Sequence, residues 1–213
     1  MKMSKNLLRT VSAAALIMAG ITSVSAAKEA GDLLMRARAI YVVPDEDATT
    51  SIGGNVGINN DIVPELDFTY FVTDNIGVEL ILATTKHHVT AVDTALGASA
   101  SLGSVMLLPP TLTLQYHFNP KGDFSPYIGA GVNYTFYYDE SAPGGAITDI
   151  DYDDGFGVAL QAGFDYKIDE KWSFNVDVKK IWLNTDVKVN GGAVTADVDI
   201  QPWIFGVGVG YTF

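Results

Sequence analysis

Apolar and polar residues alternate along much of this 213-residue chain. In the run from Phe205 to Phe213, large apolar side chains occupy every odd position, and glycine or threonine occupies every even one. A period of two predicts a β-strand with one apolar face and one nearly bare face. Comparable alternation predicts eight strands in all. They are residues 32–43, 64–72, 76–83, 108–118, 125–138, 154–167, 171–186 and 198–213.

The segments between these strands alternate in length. Those at 73–75, 119–124 and 168–170 are short, whereas the others are longer and rich in Gly, Ser, Thr and acidic residues. Short turns on one rim and long loops on the other are typical of outer-membrane barrels. The longer segments are 44–63, 84–107, 139–153 and 187–197.

No segment after residue 26 approaches the roughly 18 uninterrupted apolar residues of a membrane-spanning helix, although 48% of the chain is hydrophobic. An apolar chain without such helices crosses a bilayer only as a closed barrel, because open sheet edges would leave unpaired backbone groups in lipid. The predicted fold is therefore all-β: an eight-stranded antiparallel transmembrane β-barrel with short periplasmic turns and long extracellular loops.

Residues 1–26 have the features of a secretory signal peptide. Three basic residues precede an apolar run at 11–21, and small residues at 24–26 supply a cleavage site. We therefore expect a single barrel domain over residues 27–213. Removal of the three basic residues takes the formal net charge from −12 to −15, which excludes nucleic acid as a partner. The chain has no cysteine, so it is neither a lipoprotein nor held by disulfides.

Aromatic residues concentrate near the ends of the predicted strands. In an outer-membrane barrel such residues form girdles at the two lipid–water interfaces. Lipid and lipopolysaccharide of the bacterial outer membrane are therefore the expected surroundings. The girdle residues predicted on this ground are Tyr41, Phe71, Phe118, Tyr127, Tyr137, Tyr166, Trp172, Trp203, Tyr211 and Phe213.

Several motifs, in order along the chain, resemble those of the OmpW family of small outer-membrane proteins. They are Glu29-Ala30-Gly31-Asp32 with Met35-Arg36, then TDNIGVEL at 73–80, LPPTL at 108–112, PYIGAGVNYT at 126–135 and GYTF at 210–213. The resemblance implies a barrel with a narrow, largely apolar interior that passes small hydrophobic molecules. The terminal Phe213 resembles the signal by which the barrel-assembly machinery recognises such proteins.

The resemblance also implies that apolar residues of the third and seventh strands narrow the channel. Ile81 fits this pattern on the third strand. Lys179 stands at the matching inward position of the seventh strand, so this chain departs from a wholly apolar conduit.

Polar and charged residues occupy many of the predicted inward positions. Eight strands leave an interior wide enough only for side chains or one small ligand. These charges therefore either pair and fill the lumen or line a passage for solute, and we expect room to remain beside Gly206, Gly208 and Gly210. The candidate lumen-lining residues are Arg36, Arg38, Glu79, Ile81, Asn133, Gln161, Asp177 and Lys179.

Pro44, Pro64, Pro109 and Pro110 lie near the predicted outer ends of strands. Proline has no backbone N–H, so it interrupts strand pairing. These four residues are therefore candidates for a gap in the barrel wall through which an apolar molecule leaves sideways. Apolar residues in the long loops either pack on one another or form a funnel that collects ligand. They are Ile52, Val56, Ile58, Leu96, Leu102 and Leu108.

Signals for other chemistry are weak. The run Asp149-x-Asp151-x-Asp153 begins like a calcium loop, but it lacks the glycine and the bidentate glutamate of that motif; a rim strand or a solvated acidic loop fits better. His87 and His88 lie in a predicted external loop and are expected to contact solvent, whereas His117 lies on a predicted strand. No Gly-x-Ser-x-Gly nucleophile motif is present. We therefore predict no enzyme activity, no metal site and no cofactor.

Three functions remain open. The first is a narrow outer-membrane channel for small hydrophobic molecules, entered from the loops. The second is a structural or adhesive surface barrel, whose loops are receptors for host factors, phage or bacteriocins. The third is a secreted lipocalin-like barrel, which would have an apolar inside and a polar outside.

Overall fold

The computed structural model describes residues 28–95 and 97–213. The predicted signal segment, residues 1–26, and Leu96 lie outside this part. The described chain consists of strands, with one short 3-10 turn at Asn190–Gly192. The strands are β1 Leu33–Val43, β2 Glu46–Thr50, β3 Asn55–Ile58, β4 Asp61–Phe71, β5 Ile76–Ala83, β6 Thr85–Thr94, β7 Gly97–Leu108, β8 Thr111–His117, β9 Phe124–Ser141, β10 Ile150–Tyr152, β11 Gly155–Lys167, β12 Trp172–Val189, β13 Val194–Ile200 and β14 Trp203–Thr212.

Eight of these strands close into a ring. Each is antiparallel to the next, in the order β1, β4, β5, β8, β9, β11, β12, β14. The ring closes where β14 pairs with β1, with Arg36 opposite Gly210. The backbone N–H of Phe213 donates to the carbonyl of Leu33 at 3.0 Å. The predicted eight-stranded antiparallel barrel is therefore confirmed.

The barrel is apolar outside and polar inside. Along β1 the buried positions are even-numbered and include Arg36 and Arg38, whereas Ala37, Ala39 and Tyr41 are exposed. Most of the large apolar side chains of the other barrel strands are likewise exposed on the outer surface. This polarity is the reverse of a lipocalin, so that interpretation is wrong. No helix in the described residues is long and apolar enough to cross a membrane.

Three of the aromatic residues assigned to the girdles face inward instead. Phe71, Tyr127 and Tyr137 are all buried. Phe71 and Tyr127 both pack against the ring of His117, with centroid distances of 5.0 Å. Position near a strand end does not fix the side on which a side chain lies; the parity of the position within its strand does.

The long loops are strands for much of their length, contrary to the prediction. β2, β3, β6, β7, β10 and β13 extend the wall beyond the eight-stranded ring, and we call this part the extension. Its inward side chains form an apolar cluster that includes Val56, Val89, Val105 and Val198. The acidic run at 149–154 follows the same alternation, because Ile150 and Tyr152 of β10 are buried and the aspartates between them are exposed. The frequent Gly, Ser, Thr and Asp residues obscured this period of two in the sequence.

The expected space beside the glycines of β14 is filled. The side chain of Arg38 lies against Gly206 and Gly208, and that of Arg36 against Gly210. A Cβ at position 208 would collide with the backbone of Ala37 and Arg38. The arginine stems cross this face and occupy the space beside the glycines.

Gly208→Ala is expected to destabilise the barrel by about 1–3 kcal/mol, as overpacking does. The matched control is Gly57→Ala in the extension, where the nearest side-chain atom would lie 3.6 Å from the new Cβ. That substitution is expected to change the free energy of unfolding by no more than about 0.5 kcal/mol. Urea unfolding in lipid vesicles measures both, and equal losses would contradict the assigned packing of Arg38.

Candidate functional site

The barrel interior is divided into two parts. The half nearer the short turns holds a cluster of buried charges, which we call the plug, and the half nearer the extension holds an apolar cavity. The plug contains four basic and five acidic residues, each with a side chain at most 10% exposed. They are Lys28, Arg36, Arg38, Glu65, Asp67, Glu79, Asp165, Asp177 and Lys179.

Arg36 is the centre of the lower plug. Its guanidinium donates to both carboxylate oxygens of Asp165, at 3.0 and 2.9 Å, and to Asp67 at 2.9 Å. It also lies over the ring of Tyr127, 5.1 Å from the centroid. Lys28, which precedes β1, reaches Asp165 at 2.6 Å. A fork of donors between two carboxylates provides the charge-assisted bonds that a buried ion requires.

Arg38 and Lys179 form the upper plug. Arg38 lies 2.8 Å from Glu65 and 2.7 Å from Asp67. Lys179 donates to Glu65 at 2.9 Å and to Asp177 at 2.8 Å. Carboxylates from β4 and β12 are thereby joined to cations from β1 and β12, across the full width of the barrel.

Glu79 receives bonds from neutral residues as well. Gln161 donates to its carboxylate at 2.6 Å and Thr113 at 2.8 Å, while Arg36 and Arg38 each lie 3.4 Å away. Residues of β5, β8 and β11 thus complete the plug on the side opposite β1. Side chains fill the barrel at this level. Of the two interpretations of the inward charges, the one in which they pair and fill the lumen therefore describes their arrangement.

The cavity lies directly above the plug and has a volume of about 170 Å³. Its wall consists mainly of Val, Ile, Leu and Ala from the extension, and Lys179 and Glu65 lie at its base. Among the predicted lumen-lining residues, Ile81, Asn133 and Lys179 border this cavity. Arg36, Arg38, Glu79, Gln161 and Asp177 lie in the plug below it. All eight side chains are buried inside the barrel, and the sequence did not separate the two parts.

The loop residues proposed to form a funnel divide in a similar way. Ile52, Val56, Ile58 and Leu102 line the cavity. Leu108 is exposed on the outside of the barrel, and Leu96 lies outside the described residues.

The strand ladder of the described wall is interrupted between β9 and β10, where the backbone N–H groups of Tyr137 and Tyr152 donate to the side chains of Asp154 and Glu140. It is also interrupted between β4 and the consecutive strands β5 and β6, and we call this second interruption the seam. Regular pairing stops at Glu65 opposite Ala83 and resumes at Ile58 opposite Val89. Between these points one backbone bond, from the N–H of Asn59 to the carbonyl of His88 at 3.4 Å, is accompanied by bonds to side chains. The backbone N–H of Lys86 donates to Asp61 at 3.3 Å, and that of His88 donates to Asn59 at 2.5 Å.

The prolines lie at or near this level of the wall. Pro64 is in the interior of β4, not at its end as predicted, and it pairs with Ala39 of β1; the interruption is therefore on its other side. Pro109 and Pro110 separate β7 from β8. Pro44 connects β1 to β2, and Pro44 and Pro109 both border the cavity.

Some site residues were missed by the sequence analysis. Lys28, Asn175 and Tyr152 are all buried, and for the last two the period of two along β12 and β10 was the available signal. The expectation for His87 was wrong, since this residue lies in β6 and is 5% exposed, whereas His117 is on a strand as predicted and is fully buried. The His87 ring bonds the carbonyl of Asn59 at 2.9 Å across the seam, and burial lowers the pKa of His87.

Comparison with known proteins identifies the group to which this barrel belongs. The sequence profile of the OmpW family matches residues 29–213. The chain belongs to the OmpW family. An uncharacterized outer-membrane protein of Sinorhizobium fredii, y4mB, is 44% identical over 84% of this chain and 79% of its own length. The location predicted for this OmpW-family protein, the bacterial outer membrane, is thereby confirmed.

Two further relatives extend the comparison. The crystal structure of the outer membrane protein OprG from Pseudomonas aeruginosa superimposes with a TM-score of 0.83 at 31% identity, covering 89% of this chain and 99% of OprG. A dibenzothiophene metabolism operon protein of Pseudomonas aeruginosa, PahQ, is 30% identical over 76% of both chains.

Asp165→Asn is expected to destabilise the barrel by about 3–5 kcal/mol, because it leaves Arg36 and Lys28 buried beside a neutral group. Asp153→Asn is the matched control. Asp153 pairs with Lys188 at 2.7 Å, but both side chains are about half exposed, so its loss should be about 1 kcal/mol or less. The stability of both variants is measured by the heat-dependent shift in gel mobility that distinguishes the folded barrel from the unfolded chain. Similar losses for the two variants would be inconsistent with a structural plug.

Proposed function

We propose that this OmpW-family barrel admits small apolar molecules from outside the cell into the outer membrane. The observation that carries the proposal is the apolar cavity, which opens toward the extension and ends at the plug. An apolar molecule gains free energy by leaving water for such a wall, at roughly 25 cal/mol per Å² of buried surface. The name of PahQ connects one relative with the metabolism of dibenzothiophene, a compact apolar molecule.

The proposed route leaves the lumen sideways above the plug. Passage straight through would bring an apolar molecule against paired charges, and separating those pairs inside the barrel is costly. The seam between β4 and β6 is an alternative exit, because few backbone bonds have to open there. Glu65, Ala83 and His87 border both the seam and the cavity, so a molecule in the cavity already contacts it.

The proposal also includes the surroundings of the barrel and its assembly. The exposed apolar band contacts the lipid of the outer membrane, and the extension stands at the level of the lipopolysaccharide. Phe213, which pairs with β1 where β14 closes the ring, is proposed as the residue by which the barrel-assembly machinery recognises the chain.

Filling the cavity tests the route. Val198→Trp places a large ring in the apolar cluster, whereas Val207→Trp adds the same ring on the lipid-facing side of β14. Entry of the apolar dye N-phenyl-1-naphthylamine is measured in Gram-negative host cells with intact lipopolysaccharide. Val198→Trp is expected to reduce entry to that of cells lacking the protein, and Val207→Trp to leave it unchanged. Normal entry with a filled cavity would exclude this route.

Removal of plug side chains tests the sideways exit. Arg38→Ala combined with Glu79→Ala is expected to lower thermal stability but to leave dye entry per folded barrel unchanged, because the proposed route ends above both residues. Folded protein is quantified by the heat-dependent gel shift, and single-channel conductance is recorded in parallel. A change in dye entry per folded barrel, accompanied by a rise in conductance, would show that the cargo passes through the plug.

A further inference from the structure

Two stacked tyrosines form part of the cavity wall in the extension. The rings of Tyr137 from β9 and Tyr152 from β10 lie 5.4 Å apart, and their planes differ by 13°. Both residues are 8% exposed and both line the cavity. They are therefore polar groups in a wall that is otherwise mainly aliphatic.

The Tyr152 hydroxyl has no hydrogen-bond partner among the described residues. Neighbouring polar groups are already bonded elsewhere. The Thr185 hydroxyl donates to the carbonyl of Asp153 at 2.8 Å, and Glu140 accepts the backbone N–H of Tyr152 at 3.2 Å. The Tyr137 hydroxyl also has no partner that meets hydrogen-bond geometry, although Thr185 lies beside it.

An unpartnered hydroxyl in such a place requires an explanation, because buried polar groups are almost always hydrogen-bonded. Packing does not require the oxygen, since phenylalanine would fill the same volume and stack in the same way. Burial raises the pKa of Tyr152, so the phenol keeps its proton and remains a donor at neutral pH. A donor beside an apolar cavity is complementary to an acceptor on a molecule that occupies the cavity.

We propose that Tyr152 is a specificity residue that donates a hydrogen bond to the cargo, and that the preferred cargo is an apolar molecule carrying one carbonyl oxygen. The inference rests on the proposed function and names the class of cargo for the same cavity. The aliphatic wall binds the hydrocarbon part, and the Tyr152 hydroxyl distinguishes a ketone from an alkane of the same length. A polar molecule with several such groups would leave most of them unpaired against the wall.

A matched pair of ligands tests the inference. Displacement of N-phenyl-1-naphthylamine from the full-length barrel in lipid nanodiscs is measured with 2-dodecanone and with dodecane, each corrected for its partition into empty nanodiscs. One hydrogen bond is expected to favour the ketone about three- to tenfold. Tyr152→Phe is expected to abolish the preference. Tyr137→Phe, which removes the same atom from the stacked ring, is expected to retain most of it.

The carbonyl itself supplies a second measurement that a purely structural role would not affect. Bound 2-dodecanone is expected to show a lower infrared carbonyl stretching frequency in the wild-type barrel, and Tyr152→Phe should return it to the value in an apolar solvent. Equal displacement by ketone and alkane, with no frequency shift, would overturn the inference and leave the proposed function standing. Failure of both ligands to displace the dye would instead count against the proposed function.

Discussion

The structure depends on the closure of the backbone ladder between β14 and β1. In lipid a strand edge has no water to bond, so every N–H and C=O in the ring must pair with a neighbouring strand. The pairing of β1 with β14, from Leu34 opposite Thr212 to Val43 opposite Trp203, provides backbone hydrogen-bond partners for the two strands that would otherwise be edges. Once the ring closes with eight strands, its interior is narrow, and the packing inside follows from that limit.

The narrow interior explains the plug. Charged side chains on inward faces cannot be solvated there, so each needs a partner from another strand. Arg36 joins acids of β4 and β11, and Lys179 joins acids of β4 and β12. The same pairs that satisfy these charges fill the lumen. In the described part of the barrel the apolar cavity lies above the plug, and the seam beside Glu65 is the exit that we propose from it.

The extension depends on a different interaction from the ring. Its outer face meets water, as the exposed aspartates of β10 and β13 show, and its inner face is an apolar cluster. Burial of that cluster holds the strands of the extension together, and the same side chains make the cavity wall apolar. Tyr152 places a polar group in this mainly aliphatic wall, and the proposed selectivity rests on its hydroxyl.

The sequence by itself determined the ring of strands, the sides on which Arg36, Glu79 and Lys179 lie, and the family. A period of two is a local property, so it can be recognised without knowing which strands pair with one another. The sequence did not determine that Arg36 pairs with Asp165, 129 positions away, or that the arginine stems occupy the space beside Gly206 and Gly208. Nor did it show that the acidic segment around Tyr152 is a strand. Only the tertiary structure decided these points, because register across the barrel, and not local pattern, sets which buried charges meet and which buried hydroxyl is left without a partner.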